Sequence, residues 1–230
     1  MRRGLALACA LGGCSFSTTV EPGNDLVLDA RPSTDGALDA PADATVGSEA
    51  MVQATMTFTS AADIYLRTSL APNENTNGAD FFIVDGDNIA TGLVRFDLAA
   101  IPTSAVVMMA ELMLYDDGDS GMENTVYPLL ESWDEATATS NQRATGMAWL
   151  GAGATPPSRG ATAIGTFTPA TANTTYTFAL TTSVVQGWVS APATNFGVAI
   201  TTTNSDGSRF ASRERSVAAQ RPALRVTYQQ

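Results

Sequence analysis

Residues 92–98 read GLVRFDL. Val94, Phe96 and Leu98 fall on alternate positions, with Arg95 and Asp97 between them. Successive side chains of a strand point to opposite faces, so this run has one apolar face and one charged face. The same beat returns in AELMLY (residues 110–115), where Ala110, Leu112 and Leu114 align. It returns in TYTFAL with Tyr176, Phe178 and Leu180, and in NFGVAI with Phe196, Val198 and Ile200. In PALRVTY, Leu224, Val226 and Tyr228 share a face and Arg225 lies outside it. About ten such runs are separated by turn-forming clusters such as PNENTNG, DGDN, DDGDSG and NSDG. Many short strands with one polar face predict an all-β fold. The expected architecture is a jelly-roll-like β-sandwich of about ten short antiparallel strands with one short helix.

One stretch breaks the beat. In TTSVVQGWVSAP (residues 181–192), Val184, Val185, Trp188 and Val189 fall at helical spacing. Ser183 and Gln186 have the spacing of a capping box. The spacing predicts one to two helical turns across an end of the sandwich, with Trp188 as a core plug. The segment from about residue 134 to 160 contains GMAWLGAGATPPSRG and reads as a long loop. Trp149 within it has no strand to belong to. It would either stack on a sugar ring or tuck under the loop.

Composition closes off several chemistries. The 230 residues contain no histidine, so neither a Ser-His-Asp triad nor an imidazole metal site can be built. The two cysteines, Cys9 and Cys14, lie near the N-terminus, leaving no disulfide or thiol nucleophile in the strand-rich region. A net charge of −11 argues against nucleic acid as a partner. Asp134 and Glu135 are adjacent in sequence, the sequence positions no opposed carboxylate pair of the glycosidase kind, and no catalytic residue is assigned.

The chain opens MRRGLALACALGGCSFS. Arg2 and Arg3 precede an apolar run over residues 4–13, too short to span a bilayer, which needs about 20 residues. Leu11-Gly12-Gly13-Cys14 resembles a bacterial lipobox. In that reading residues 1–13 are a lipoprotein signal peptide and Cys14 is the lipidation site. The membrane is then a partner through the lipid anchor, and the protein is exported to the bacterial cell envelope. The alternative is an ordinary secretory signal that happens to carry a cysteine. Residues 14–50 are rich in Asp, Ala and Pro without apolar periodicity, and read as a disordered tether. Residues 51–230 form the β domain.

Charge is unevenly placed along that domain. Residues 51–139 hold two arginines and fourteen acids, and residues 140–230 hold seven arginines and two acids. Three of those arginines crowd into SRFASRER, residues 208–215. If the stretch is a strand, Arg209, Ala211, Arg213 and Arg215 share a face. That face either grips an anionic partner or is tied down by internal acids. Arg213 and Glu214 read as a structural ion pair, each needing its own partner because strand neighbours face opposite ways. Arg209 and Arg215 are the stronger ligand candidates, with Arg213, Arg143 and Trp149 beside them. A residual basic patch around Arg143, Arg159, Arg209 and Arg215 would bind an anionic partner; the alternative is a solvated mixed surface. The acidic turns with Asp85, Asp87, Asp116, Asp117 and Asp119 resemble oxygen-ligand clusters. A structural calcium is the one cofactor they would admit, with plain solvated turns as the default.

Taken in order, the motifs are similar to a known family. They are Asp63-Ile64-Tyr65-Leu66-Arg67, then Asn77-Gly78, then VRFDLAAIP with Arg95, Asp97 and Pro102, then AELMLY and Trp133-Asp134-Glu135. Trp188, Asn195-Phe196-Gly197-Val198, Phe210, Ser212-Arg213-Glu214 and RPALRVTY complete the series. The chain resembles the DNRLRE domain family, grouped with carbohydrate-binding module family 96, over about residues 55–228. It departs after Trp133-Asp134-Glu135, where Thr139 is followed by Ser140 and Ala144 stands where the family places proline. The resemblance implies a non-catalytic jelly-roll module that binds anionic polysaccharide, with uronate polymers of the alginate type as the ligand class; the protein is expected to be a monomer. The alternative function is a structural or adhesive cell-surface protein without a sugar site.

Overall fold

The computed structural model describes residues 51–230, apart from 87–88 and 119–120. The signal peptide, Cys14 and the tether lie outside the described residues. In chain order the strands are β1 (Gln53–Arg67), β2 (Phe81–Val84), β3 (Ala90–Phe96), β4 (Val106–Gly118) and β5 (Asn124–Pro128). Then come β6 (Gln142–Ala144), β7 (Met147–Ala148), β8 (Gly165–Phe167), β9 (Thr174–Ala179) and the helix α1 (Thr182–Ser190). The chain ends with β10 (Val198–Thr202), β11 (Ser208–Ala211) and β12 (Ala223–Gln229).

The fold is an antiparallel β-sandwich organised around β1. The first half of β1 pairs with β12, from Gln53↔Gln229 to Thr59↔Ala223. Its second half pairs with β3, from Ala62↔Arg95 to Arg67↔Ala90, after a register shift between Ser60 and Ala62. One strand therefore leaves one sheet and enters the other, and a bulge supplies the bend. The strand order is β2-β11-β4-β12-β1-β3-β10-β5-β8, with β9 also paired to β4. The inner faces bury Val94, Phe96, Leu112, Leu114, Leu224, Val226 and Phe210 in one core. These are the alternating positions of the sequence motifs, as period-two burial requires.

The other face of the β1–β3–β10 sheet is not left to solvent. Ile64, Leu66, Leu93 and Ala199 pack with Leu129, Trp133, Ala138, Trp149 and Ala154 in a second apolar cluster. The segment expected as a long loop is the cover of this cluster, and it carries its own small ladder, β6–β7. Trp149 is buried and donates from Nε1 to the Thr139 carbonyl at 2.8 Å. The stacking alternative for Trp149 is thereby corrected: its ring lies beneath the cover. Two indoles give the segment enough apolar area to order it.

Helix α1 buries Val185, Trp188 and Val189. The expected capping box is not formed, since the N-cap is Thr181 and no side chain caps the helix. Gln186 is used elsewhere. Its Oε1 accepts from the Val107 N–H at 2.8 Å, and its Nε2 donates to the Ala105 carbonyl at 3.0 Å. The amide thus docks the helix on the start of β4. Gly197, at φ +87°, opens β10 where a Cβ would come 2.2 Å from the Val94 carbonyl oxygen. Only glycine lets β10 close on β3 there.

The bend in β1 is held by a buried carboxyl group. Asp63, 2% exposed, accepts at Oδ2 from the Ser60 hydroxyl and from the Arg213 N–H, each at 2.9 Å. Its own N–H donates to Glu135 Oε1 at 2.8 Å, and the same oxygen accepts Arg213 Nε at 2.8 Å. Burial pushes the Asp63 carboxyl up from 3.8 to about 7, and the neighbouring Glu214 and Glu135 add to the rise. The two hydrogen bonds to Oδ2 act in the opposite direction.

Two outcomes are expected. Trp149→Ala should lower stability by about 3–5 kcal/mol, read as a shift in the denaturant midpoint, because it opens a cavity under the cover. For Asp63, the folded state holds a proton that the unfolded chain releases between pH 3.8 and about 7. Its contribution is therefore fully present below the lower value and is lost as pH rises through about 7, by on the order of a few kcal/mol. Unfolding curves from pH 5 to 8 should show that decline, and Asp63→Asn should flatten it.

Candidate functional site

The arginines of SRFASRER do not form a stripe. β11 ends at Ala211, and residues 213 and 214 lie in a turn, so strand alternation does not extend to Arg213 and Arg215. Arg209 Nε meets Asp117 Oδ1 at 2.6 Å, and its guanidinium lies 5.3 Å from the Phe81 ring centre. Arg215 pairs with Asp80 at 3.1 Å and also with Asp117. Arg213 Nε meets Glu135 and Glu214, each at 2.8 Å. Freed from the strand, Arg213 and its chain neighbour Glu214 reach each other, which corrects the expectation of separate partners. Arg143 Nε lies 3.3 Å from Glu131, and its Nη1 donates to the Ser132 carbonyl at 2.9 Å. Arg225 and Glu111, opposite each other on β12 and β4, pair at 2.7 Å. The charge asymmetry along the chain is thus largely consumed by pairing between its halves. Arg209, Arg213, Arg215 and Arg143 enter the structure already neutralised.

The acidic turns divide in the same way. Asp117 is occupied by two guanidinium groups. Asp116 is buried, and its Oδ1 accepts from the Gly118 N–H at 3.2 Å. Asp87 and Asp119 lie outside the described residues. Among the described residues, no three carboxylates converge in a way that could hold a metal ion. Asp85 stands apart from this group and lines a groove.

That groove, of about 320 Å³, runs over β3, β10 and β5 on the sheet face that also carries the cover. Its sheet side is lined by Thr91 of β3, Thr201 of β10, and Thr125 and Tyr127 of β5. Thr125 and Tyr127 flank the buried Val126, so they share the opposite face. The cover adds Thr155 and Arg159. Arg159 forms an isolated bridge with Leu129, two residues beyond Tyr127. The neighbouring Gly160 N–H donates to the Pro128 carbonyl at 2.8 Å. These bonds drop the Arg159 guanidinium onto the Tyr127 ring, 3.7 Å from its centre. Among the described residues, no carboxylate pairs with it.

The groove therefore offers a guanidinium held flat on an aromatic ring, with hydroxyl groups around it. Stacking fixes the plane of the guanidinium and leaves its edge N–H groups free to fork onto a carboxylate. The Tyr127 face is already covered by Arg159, so the guanidinium itself is the flat surface a sugar ring would meet. Sequence reading placed Arg159 in a basic patch but missed Tyr127 and the threonines. The alternation around Val126 was the signal that could have found Tyr127. Its pairing with Arg159 crosses the covering segment and has no sequence signature.

Two other recesses are present among the described residues. A recess of about 330 Å³ is lined by Tyr65, Arg67, Leu70 and Ile83, and Arg67 there pairs with Glu74 at 2.7 Å. Another, of about 300 Å³, holds Arg95, Asp97 and Trp188; Arg95 is spread over the Trp133 ring at 5.4 Å.

Comparison with known proteins gives one positive result. The family model for carbohydrate-binding module family 96 matches residues 54–228, the whole of the sandwich. No curated protein matches the chain.

Proposed function

The chain belongs to carbohydrate-binding module family 96, and from that premise we propose that it holds an acidic polysaccharide in the Tyr127–Arg159 groove. The family is one of non-catalytic binding modules, so the chemistry sought is recognition. The observation that carries the reading is Arg159, a guanidinium fixed on an aromatic ring in a groove and without a described acid partner. A uronate carboxylate matches its fork, and ring hydroxyls match the threonine side chains. The four arginines first favoured by the sequence support this reading less, because a ligand would have to displace an acid from each.

We also infer that the module is displayed from the bacterial envelope by lipid on Cys14. The twin arginines, the short apolar run and the Leu-Gly-Gly-Cys segment support that reading. More than one acyl chain is needed for stable anchoring. Cys14→Ser should move the protein from the membrane fraction to the soluble one.

The binding reading is tested by electrophoresis through gels containing alginate or pectate. Retardation is expected, and it should weaken as salt rises. Arg159→Ala should reduce affinity about ten- to a hundredfold, the scale of a hydrogen bond to a charged group. Arg209→Ala, which removes a cation already paired with Asp117, should leave it nearly unchanged. Equal retardation of wild type and Arg159→Ala would remove the groove from the argument. Absence of retardation in every uronate gel would favour the scaffold alternative.

A further inference from the structure

The groove carries a second charged group, and it has the wrong sign for a uniformly anionic ligand. Asp85 lines it together with Arg159, yet the two do not pair among the described residues. Asp85 directly follows β2 and is bridged to Ala90, with its N–H donating to the Ala90 carbonyl at 2.9 Å. Its side chain packs against Gly207, where an added Cβ would lie 3.0 Å from both Asp85 Cβ and Cγ. Its Oδ1 is shielded from solvent and has no hydrogen-bond partner among the described residues. An acidic side chain held in place thus lines the same groove as a fixed guanidinium.

Such a groove discriminates by charge pattern. A polymer with a carboxylate on every ring satisfies Arg159 with one ring but brings another negative group towards Asp85, which repels it. A polymer in which a neutral ring neighbours the anionic one places no second negative charge near Asp85 and avoids that repulsion. We propose that Asp85 makes the groove selective for acidic polysaccharides whose anionic rings alternate with neutral, hydroxyl-bearing rings, over polymers charged at every ring. The inference rests on the groove reading above and names the ligand class within it. Gly207 is a positioning residue in this scheme, since it leaves the room in which the Asp85 side chain lies.

The test is calorimetric titration of the full chain with two probes of equal length. One is a fully ionised oligogalacturonate, and the other is the same oligomer with about half of its carboxylates methyl-esterified. Wild type should bind the partly esterified probe about tenfold more tightly, the scale of one like-charge contact in a half-buried site. Asp85→Asn keeps a carbonyl acceptor and removes the charge; it should raise affinity for the fully ionised probe and bring the two within about twofold. Gly207→Ala should narrow the gap in the same direction by displacing Asp85. A ratio unchanged by Asp85→Asn, or a wild-type preference for the fully ionised probe, would overturn the proposal while leaving the groove in place. Binding that survives Arg159→Ala undiminished, or no binding of either probe, would instead sink the groove reading and this inference with it.

Discussion

The fold depends on one buried carboxyl group at a bend. β1 serves both sheets, and the change of sheet occurs across the shift between Ser60 and Ala62. Asp63 stands directly after that shift and joins Ser60 on its own strand to two distant stretches, Glu135 in the cover and Arg213 after β11. A carboxyl removed from water needs donors, and Ser60 at the bend and the Arg213 N–H after β11 supply them, while Glu135 of the cover accepts from the Asp63 N–H. The Asp-Ile-Tyr-Leu-Arg, Trp-Asp-Glu and Ser-Arg-Glu motifs therefore meet at one place, and their role there is architectural. Glu135 accepts from Asp63 and Arg213 at the same oxygen. Glu135 and Glu214 share the Arg213 guanidinium, and their charges near Asp63 add to the burial that raises its carboxyl so far above its ordinary range.

The same accounting explains the arginines. An excess of acid in the first half of the domain and of arginine in the second suggests a binding surface only if the halves stay apart. A sandwich interleaves them, and Arg209, Arg213, Arg215 and Arg225 each find acids that are remote in sequence or on the next strand. The more exposed of these pairs contribute little stability individually, about 0–1 kcal/mol. Their effect is on charge: they cancel the surface field that a polyanion would follow. In the proposed reading, recognition falls to the guanidinium stacked on Tyr127 and left without a described acid, a local contact with a fixed plane.

Much of the sandwich was legible because period two is strict. Val94, Phe96, Leu112, Leu114, Leu224 and Val226 are core positions in the sequence pattern and in the structure alike. The second apolar cluster was not legible. Leu93 and Ala199 sit on the face that the pattern assigns to solvent, and only the covering segment with its two indoles explains their burial. That segment is rich in Gly, Ala and Pro, which carry no periodic signal, so it reads as a loop. The groove was hidden for a related reason. Tyr127 comes from a five-residue strand and Arg159 from the cover, and no local rule links them. Gln186 shows the same limit on a smaller scale: its spacing suits a helix cap, and tertiary contact with Val107 and Ala105 prevailed.

The passage of β1 through both sheets has a mechanical side. Any pull arriving through the chain before residue 51 enters at the first residues of β1. The covalent backbone carries it past the hydrophobic interior into the sheet on which the groove lies. There β3, which contributes Thr91 to the groove floor, is laced to β1 over its whole length. Load between a held glycan and the incoming chain would run along hydrogen-bonded strands loaded in shear, without prising the two layers apart.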